Sequence, residues 1–371
     1  SAASDVYKRQ EQLNKTALKA HGLDKSGRLY KVNSFDFHRY EDTIKLADDP
    51  DYNQANFEGM LEIKGDSDHT KLIEMLDALN DESQKIDNVL DTYFDTENLV
   101  YWLAFQILTG NCDTQNRNCY LYSPLNSKVW YILDWDNDGM LRKLELSLTG
   151  FSDYASWERG VSNYWGNVLF NRALRSKAFR SELDRAVKDL RSYMTEARLA
   201  KMIKHYREVT ESLVFASPDT DNLPVTKDQY EQIAAAIPSE IEENYKSYCE
   251  SYKKPMPFYI GVPQIDNGKL RMNWDASYDF KARDIRYTVE LARDYAISDV
   301  LFKAEDVLLP EVTCDAPDAG QYFVRVRATN SDGYTQDAFD YYVTDDGKHY
   351  GMKCFYVQDG GKVVEDTYEE G

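Results

Sequence analysis

The chain carries the sequence GNCDTQNRNCYLY at residues 110–122 and WYILDWDNDG at residues 130–139. Apolar residues at helical spacing precede the first stretch, which predicts a helix that begins near Asp95 or Thr96 and ends at Gly110. The run from Asn118 to Tyr122, the turn at 124–127 and the run from Lys128 to Leu133 predict a β-hairpin. The polar residues therefore fall in two loops, one after the helix and one after the hairpin.

The two loops contain side chains suited to metal and phosphate chemistry. Asp113 is followed by four residues and then Asn118, and Asp136 follows the hairpin. Protein kinases use this order: an Asp orients the attacking hydroxyl, an Asn binds metal, and a later Asp binds metal against the phosphates. We therefore predict that Asp113 is catalytic and that Asn118 and Asp136 are metal ligands.

Length and charge exclude several classes of function. A chain of 371 residues is expected to form two or three domains. A net charge of -20 and a pI near 4.7 argue against nucleic acid and anionic membranes as partners, and suit a basic substrate. No apolar run is long enough for membrane insertion. The five cysteines and five histidines show no zinc-ligand spacing, so we expect no zinc site.

The periodicity changes once along the chain. Residues from Val168 to about Tyr252 are predicted to be helical throughout, and a further helix is predicted after the caps Asp66-Ser67-Asp68. After the boundary at 253–257, the segments 270–274, 287–291 and 320–328 alternate strictly and predict strands. With Trp274 on an early strand and Tyr322 before an alternating one, residues 257–345 resemble an immunoglobulin or fibronectin type III sandwich. Residues 346–371 form a tail with one predicted hairpin.

Residues 11 to about 250 resemble the spore-coat-H (CotH) kinase family, an atypical branch of the protein-kinase superfamily. The resemblance is carried by Gly27-Arg28-Leu29-Tyr30-Lys31, the helix 99–108, Gly110-Asn111-Cys112-Asp113, Asn118-Cys119-Tyr120-Leu121-Tyr122 and Trp135-Asp136-Asn137-Asp138. It implies a multidomain chain: an α+β, mostly helical kinase-like C-lobe at 11–252, with the hairpin metal loop, and then the all-β sandwich. It also implies a bacterial enzyme that uses ATP with Mg²⁺ or Mn²⁺ and phosphorylates Ser or Thr of a protein substrate.

The resemblance assigns the site residue by residue. Asp113 orients the substrate hydroxyl, Asn118 coordinates the metal, and Asp136 is the main metal carboxylate. Asp138 matches the family's second acidic position and binds metal or orients its loop. Asp134 departs from the family, which more often has an apolar residue there, and leaves open which two carboxylates hold the metal.

The beginning of the chain is also unlike the family. Residues 1–10 resemble a translated adapter from environmental DNA sequencing, and we expect them to be an artefactual leader. Glu11 to Lys15 resembles the family segment just after the N-lobe strands. The ATP-gripping lobe is therefore expected upstream, so no ATP-binding residues are assigned and this chain by itself is not expected to turn over ATP. The fibronectin-like domain suggests an extracellular or cell-surface location.

Other interpretations of the same residues stay open from the sequence. Asp134, Asp136, Asp138, Gly139 and Glu145 satisfy the spacing of an EF-hand calcium loop, although a strand rather than a helix is predicted before it. A non-catalytic adhesion or scaffold protein with a degenerate kinase lobe is a second alternative. Cys112 and Cys119 are interpreted as packing residues, and the aromatic segment 152–167 either anchors the fold or shapes a substrate groove.

Overall fold

A computed structural model describes residues 13–150, 154–345 and 347–366. These residues fold into two compact units. The helical unit comprises residues 13–150 and 167–246, and the β unit comprises residues 154–166, 247–345 and 347–366. The leader predicted at residues 1–10 lies outside the described residues. No helix in the described part of the chain combines the length and apolar character needed to cross a bilayer.

The helical unit contains a small sheet and most of the helices. Its strands are β1 (Arg28–Val32), β2 (Leu61–Ile63), β3 (Cys119–Ser123) and β4 (Tyr131–Asp134). Its helices are α1 (Lys15–Ala20), α2 (Gln54–Met60), α3 (Thr70–Asn80), α4 (Ile86–Tyr93), α5 (Thr96–Thr109), α6 (Lys143–Leu148), α7 (Val168–Arg175), α8 (Lys177–Tyr193), α9 (Glu196–Val214) and α10 (Lys227–Ser251), which continues past residue 246. Short 3₁₀ turns cover Asn137–Gly139, Gly160–Tyr164 and Asp219–Asn222.

The sheet brings the two polar loops to one edge. Its strand order is β2-β1-β3-β4, and all neighbours are antiparallel. In the predicted hairpin, Cys119 of β3 lies opposite Asp134 of β4. The residue before β3, Asn118, and the residues after β4 therefore leave the sheet at the same end. This register is what allows the two loops to form one site.

Helix α5 begins and ends where the sequence predicts. The Asp95 carboxylate accepts a hydrogen bond from the Asn98 amide at 2.8 Å, and Gly110 ends the helix with a φ of 63°. The helix is buried on most of its surface, which fits its apolar composition. The Trp102 ring stacks on Phe170 with centroids 5.7 Å apart. Helix α5 is thus a central element that fixes the start of the first loop.

Helix α3 begins differently from the prediction. Its N-cap is His69, which makes no capping bond through its side chain. Asp68 instead accepts hydrogen bonds from the Thr70 amide at 3.0 Å and from the Arg28 guanidinium at 2.5 Å. The hydrogen bonds from Thr70, and to a smaller extent the bond from Arg28, lower the pKa of Asp68 to about 2. Asp68, which the sequence predicted as a helix cap, therefore also binds Arg28 of β1, a long-range partner that the local sequence did not reveal.

The β unit is built from two main sheets and a hairpin. Its strands are β5 (Gln264–Asp266), β6 (Lys269–Asn273), β7 (Ile285–Ala292), β8 (Val300–Val307), β9 (Glu311–Asp315), β10 (Gly320–Asn330), β11 (Thr335–Asp337), β12 (Tyr341–Thr344), β13 (Gly347–Tyr350), β14 (Met352–Val357) and β15 (Val363–Glu365). One sheet has the order β5-β6-β9, and the other β15-β14-β10-β7-β8 with β11 beside β10. β12 and β13 pair with each other. The hairpin predicted in the tail is β14–β15.

The core of the β unit contains the aromatic residues that the sequence singles out. Trp274 and Tyr287 are buried with ring centroids 5.3 Å apart, and the cluster includes strand residues from both main sheets. The Tyr322 hydroxyl donates a hydrogen bond to the Asp318 carbonyl oxygen at 2.9 Å. In β-sandwiches, a tyrosine near the start of a strand whose hydroxyl binds the backbone a few residues upstream stabilises the corner between two strands.

The aromatic segment 154–166 belongs to the β unit. Trp157 is 9% exposed, its indole N–H donates to the Ala338 carbonyl oxygen at 3.2 Å, and its ring meets Phe339 at 5.0 Å. Trp165 stacks on Tyr278 at 5.3 Å. Both tryptophans are therefore anchors, the first of the two interpretations that the sequence left open.

Candidate active site

The first loop of the site starts from a tight helix end. The Gly110 N–H donates to the Gln106 and Ile107 carbonyl oxygens, and a side chain at Gly110 would lie 2.7 Å from the Asn244 amide nitrogen. Glycine is therefore required there by backbone conformation and by space. After it, the Asn111 side-chain oxygen accepts a hydrogen bond from the Asp113 N–H at 3.2 Å. This turn begins the loop that carries Asp113.

Asp113 and Asn118 are brought together. The Asn118 amide group donates to an Asp113 carboxylate oxygen at 2.7 Å and to the Asp113 carbonyl oxygen at 3.1 Å. The backbone of Asn118 has a φ of 58°, a left-handed conformation that Asn tolerates better than most residues. Because the amide nitrogen is engaged by Asp113, the amide oxygen of Asn118 is directed elsewhere. The Arg117 guanidinium lies 3.9 Å from Asp113, and both side chains are about half exposed.

The second loop lies against the first. Asp136 has a φ of 55°, and the 3₁₀ turn Asn137–Gly139 follows it. An added Cβ on Gly139 would lie 3.2 Å from the Cβ of Asp113. Partial burial is the main cause that raises the pKa of Asp136, and repulsion from Asp138 is the next. The positive charge of Lys31 lowers this pKa, and the negative charge of Asp113 raises it slightly. The predicted residues Asp113, Asn118, Asp136 and Asp138 thus lie in one acidic neighbourhood.

A buried amide network that sequence reasoning missed joins the two loops. Gln106 and Asn111 are each 1% exposed. The Asn111 amide nitrogen donates to the Gln106 side-chain oxygen at 3.0 Å, and the Gln106 amide nitrogen donates to Asp134 at 2.9 Å and to the Asn137 side-chain oxygen at 3.3 Å. A Gln within the mostly apolar run 99–108 of α5, four residues before Gly110, was the available signal.

The same network explains Asp134, the departure noted in the sequence. The residue as a whole is exposed, yet its carboxylate is held by Gln106 at the helix. Loss of water raises the pKa of Asp134, while hydrogen bonds from Gln106 and Trp102 lower it. Because its carboxylate is bonded to the helix, Asp134 supports the second loop, and Asp136 and Asp138 are the better candidates for metal ligands.

The side chains of the site can bind a small hard cation only if a second molecule supplies further oxygen ligands. Among the described residues, no three His, Cys, Asp or Glu side chains lie close enough together to hold a metal. The candidate ligands are two carboxylates, Asp136 and Asp138, and the amide oxygen of Asn118. Mg²⁺ prefers oxygen ligands and is usually bound by one or two carboxylates together with substrate phosphates. The residues present therefore fit Mg²⁺ or Mn²⁺ as part of a metal–phosphate complex.

A family model matches the part of the chain that contains both loops. The model of the family described as CotH kinase protein matches residues 4–248, which is more than half of the chain. The chain belongs to the CotH kinase family. The match covers both loops of the site and all described residues of the helical unit. It starts inside the segment 1–10, whose assignment as an artefactual leader stays a prediction.

Other comparisons add little to the CotH assignment. No curated protein matches the chain. Among solved structures, the twitchin kinase region from C. elegans (Fn31-NL-kin-CRD-Ig26) is 19% identical, with a TM-score of 0.20. The match spans 26% of this chain and 20% of that one. A similarity this low carries no argument about the fold of the CotH chain.

The calcium loop considered for this CotH member is not assembled. Its first ligand position, Asp134, is bonded to Gln106, and its last, Glu145, is held by Arg142 through two hydrogen bonds of 2.8 and 2.9 Å. A strand enters the loop, as predicted. The φ of Gly139 lies outside the left-handed region that Gly supplies in a sharp turn. The EF-hand spacing is therefore present in the sequence without its geometry.

Of the two cysteines beside the site, Cys119 is a buried packing residue, as expected from the sequence. All five cysteines of the chain are free thiols, including Cys112 and Cys119. Burial raises the pKa of Cys119 far above that of a reactive thiol. Cys119 therefore fills space at the start of β3 and is not a nucleophile.

Proposed function

We propose that this CotH family member is a protein kinase whose helical unit carries the catalytic and metal-binding residues. The observation that carries the proposal is the pair of hydrogen bonds from the Asn118 amide group to Asp113. They fix the orientation of the Asn118 amide, so that its oxygen is available as a metal ligand beside the carboxylate that receives the substrate hydroxyl. Phosphoryl transfer depends mainly on such positioning and on charge stabilisation.

Asp136, Asp138 and the Asn118 amide oxygen would hold Mg²⁺ or Mn²⁺. When bound, the metal neutralises charge on the phosphates of ATP during transfer. The raised pKa of Asp136 supports this role, because partial loss of water and then the neighbouring carboxylates make its negative charge costly until a cation shares the loop. The Gln106 network keeps the loop facing Asp113.

Asp113 would accept a hydrogen bond from the hydroxyl of a substrate Ser or Thr and hold it in line. Its side chain is 53% exposed, so a protein substrate can reach it. Acid–base help of this kind accelerates a reaction by about 10²–10⁴-fold. A net charge of -20 favours a substrate with basic residues around the phosphorylated position.

We also propose that the β unit is a fibronectin type III-like domain that locates the kinase outside the cell or at its surface. Three features support it: sheets of the order β5-β6-β9 and β14-β10-β7-β8, a buried Trp274, and the Tyr322 hydrogen bond to Asp318. A protease-protection assay on intact source cells tests the location. Degradation of the protein only after cell lysis would contradict it.

The kinase activity is tested by phosphate transfer from radiolabelled ATP to a Lys- and Arg-rich test protein. The assay uses the 371-residue chain and, in parallel, a form extended by the upstream reading frame, which tests the expected nucleotide lobe. Asp113→Ala and Asp136→Ala should each reduce transfer by about 10³-fold or more while the far-ultraviolet circular dichroism stays unchanged. Asp91→Ala, which removes an exposed carboxylate of α4, is the matched control and should retain full activity.

Two results would contradict the proposal. One is Mg²⁺-dependent transfer that survives in the Asp113 or Asp136 variant. The other is an extended form that shows no transfer and no thermal stabilisation by ATP with Mg²⁺. Calcium binding without nucleotide would instead favour the EF-hand alternative.

A further inference from the structure

Asn167 connects a distant helix to the first loop of the site. It caps α7, where its side-chain oxygen accepts hydrogen bonds from the Leu169 and Phe170 amides at 3.0 and 3.4 Å. Its amide nitrogen donates to the Gln115 carbonyl oxygen at 2.8 Å and to the Asn116 side-chain oxygen at 3.3 Å. The residue is 1% exposed. One buried side chain thus uses its oxygen for the helix and its nitrogen for the loop.

The loop is held at two levels. At its base, the Asn118 amide group is bonded to Asp113. At its tip, Gln115 and Asn116 lie between these two residues in sequence and receive the hydrogen bonds from Asn167. The Phe35 N–H also donates to the Asn116 carbonyl oxygen at 2.7 Å. The conformation that pairs Asp113 with Asn118 is therefore supported from outside the loop.

We propose that Asn167 is a positioning residue for catalysis, because its amide nitrogen holds the 115–116 tip and so fixes the orientation of Asp113 and Asn118. The catalytic consequence rests on the proposed kinase function, whereas the effect on the loop does not. A misplacement of about 1 Å in a catalytic group can cost about 100-fold in rate. Loss of the tip contacts should therefore lower turnover more than it lowers substrate binding.

Two substitutions separate the two roles of Asn167. Asn167→Asp keeps an oxygen that can cap α7, and Asn167→Ser keeps a smaller capping group without adding charge. Neither carries an amide nitrogen to donate to Gln115. The matched controls are Asn53→Asp and Asn53→Ser, because Asn53 caps α2 by accepting from the Asn56 amide at 3.1 Å and is exposed.

Hydrogen–deuterium exchange on the 371-residue chain tests the effect on the loop. Both Asn167 variants should exchange about tenfold faster than the parent in peptides covering residues 110–120, with peptides of α8 unchanged. The Asn53 variants should match the parent in both regions. Unchanged exchange at 110–120 in the Asn167→Ser chain, or a change shared equally by the Asn53 variants, would overturn the proposal.

Kinetics on the active form then test the catalytic consequence. The kcat of the Asn167→Ser enzyme should fall by about 10–100-fold, while the KM for ATP stays within about threefold of the parent value. A loosened loop with unchanged kcat would overturn the positioning role. An extended form without any phosphate transfer before mutation would instead reject the proposed function, and the exchange result would still decide whether Asn167 holds the loop.

Discussion

Replacing Gly139 by Ala should push the two loops of the site apart. An added Cβ would lie 2.6 Å from the Asn111 side-chain oxygen and 3.2 Å from the Cβ of Asp113, whereas ordinary van der Waals contact begins at 3.4 Å. The backbone of Gly139 is not left-handed, so Ala fits its conformation and the effect is purely steric. Asn111 cannot turn away without losing its bonds to Gln106 and to the Asp113 N–H.

The size of the effect follows from that geometry. The loops must separate by a large part of 1 Å, and overpacking of this kind costs about 1–3 kcal/mol of unfolding free energy. The lower chain entropy of Ala in the unfolded state returns about 0.4–1 kcal/mol. We therefore expect a net loss of about 1–2 kcal/mol in stability and a loss of about 100-fold in phosphate transfer, because the displaced group is Asp113.

Urea unfolding and the radiolabelled ATP assay measure the two effects. Gly59→Ala is the control, because Gly59 lies in α2 with nothing within 4 Å of an added Cβ. That substitution should stabilise the chain by about 0.5–1 kcal/mol and leave transfer unchanged. A Gly139→Ala enzyme with parental activity would show that the contact between the loops does not set the catalytic geometry.

Three further predictions follow from single side chains. Asp136→Asn should raise the melting temperature near pH 7, because the raised pKa of Asp136 shows that its negative charge destabilises the folded chain. This gain in stability should vanish as the pH falls through that pKa toward 3.8, where the carboxyl is protonated in both states. Metal-dependent phosphate transfer should be lost at every pH. Tyr322→Phe should cost the β unit about 1 kcal/mol in urea unfolding by removing the bond to Asp318, and an unchanged midpoint would count against the corner. Trp157→Ala should destabilise the β unit by about 3 kcal/mol, measured as faster hydrogen–deuterium exchange in β10 and β14. Faster exchange in α5 instead would contradict the placement of Trp157 in the β unit.

The sequence predicted the features whose signals are local. The end of α5 at Gly110, the hairpin that places Asn118 beside the second loop, and the switch to strands after 253–257 all depend on short-range patterns of periodicity and turn chemistry. The supporting contacts were not predictable in the same way. Asn167 reaches Gln115 across 52 positions, and Trp157 reaches Ala338 across 181. Nothing in the composition of either segment states its partner, because the partner is set by the tertiary fold.

The small number of carboxylates in the site determines how it should bind its ligands. Asp136 and Asp138 with one amide oxygen leave most of the coordination positions of Mg²⁺ to water or phosphate. Metal alone should therefore bind weakly, and metal should bind more tightly once ATP supplies phosphate oxygens, with the same factor appearing in the affinity for ATP. Loss of water and then repulsion from Asp138 raise the pKa of Asp136, and Lys31 opposes this rise without cancelling it. In the proposed kinase, such a site would therefore bind its metal together with the phosphates of ATP.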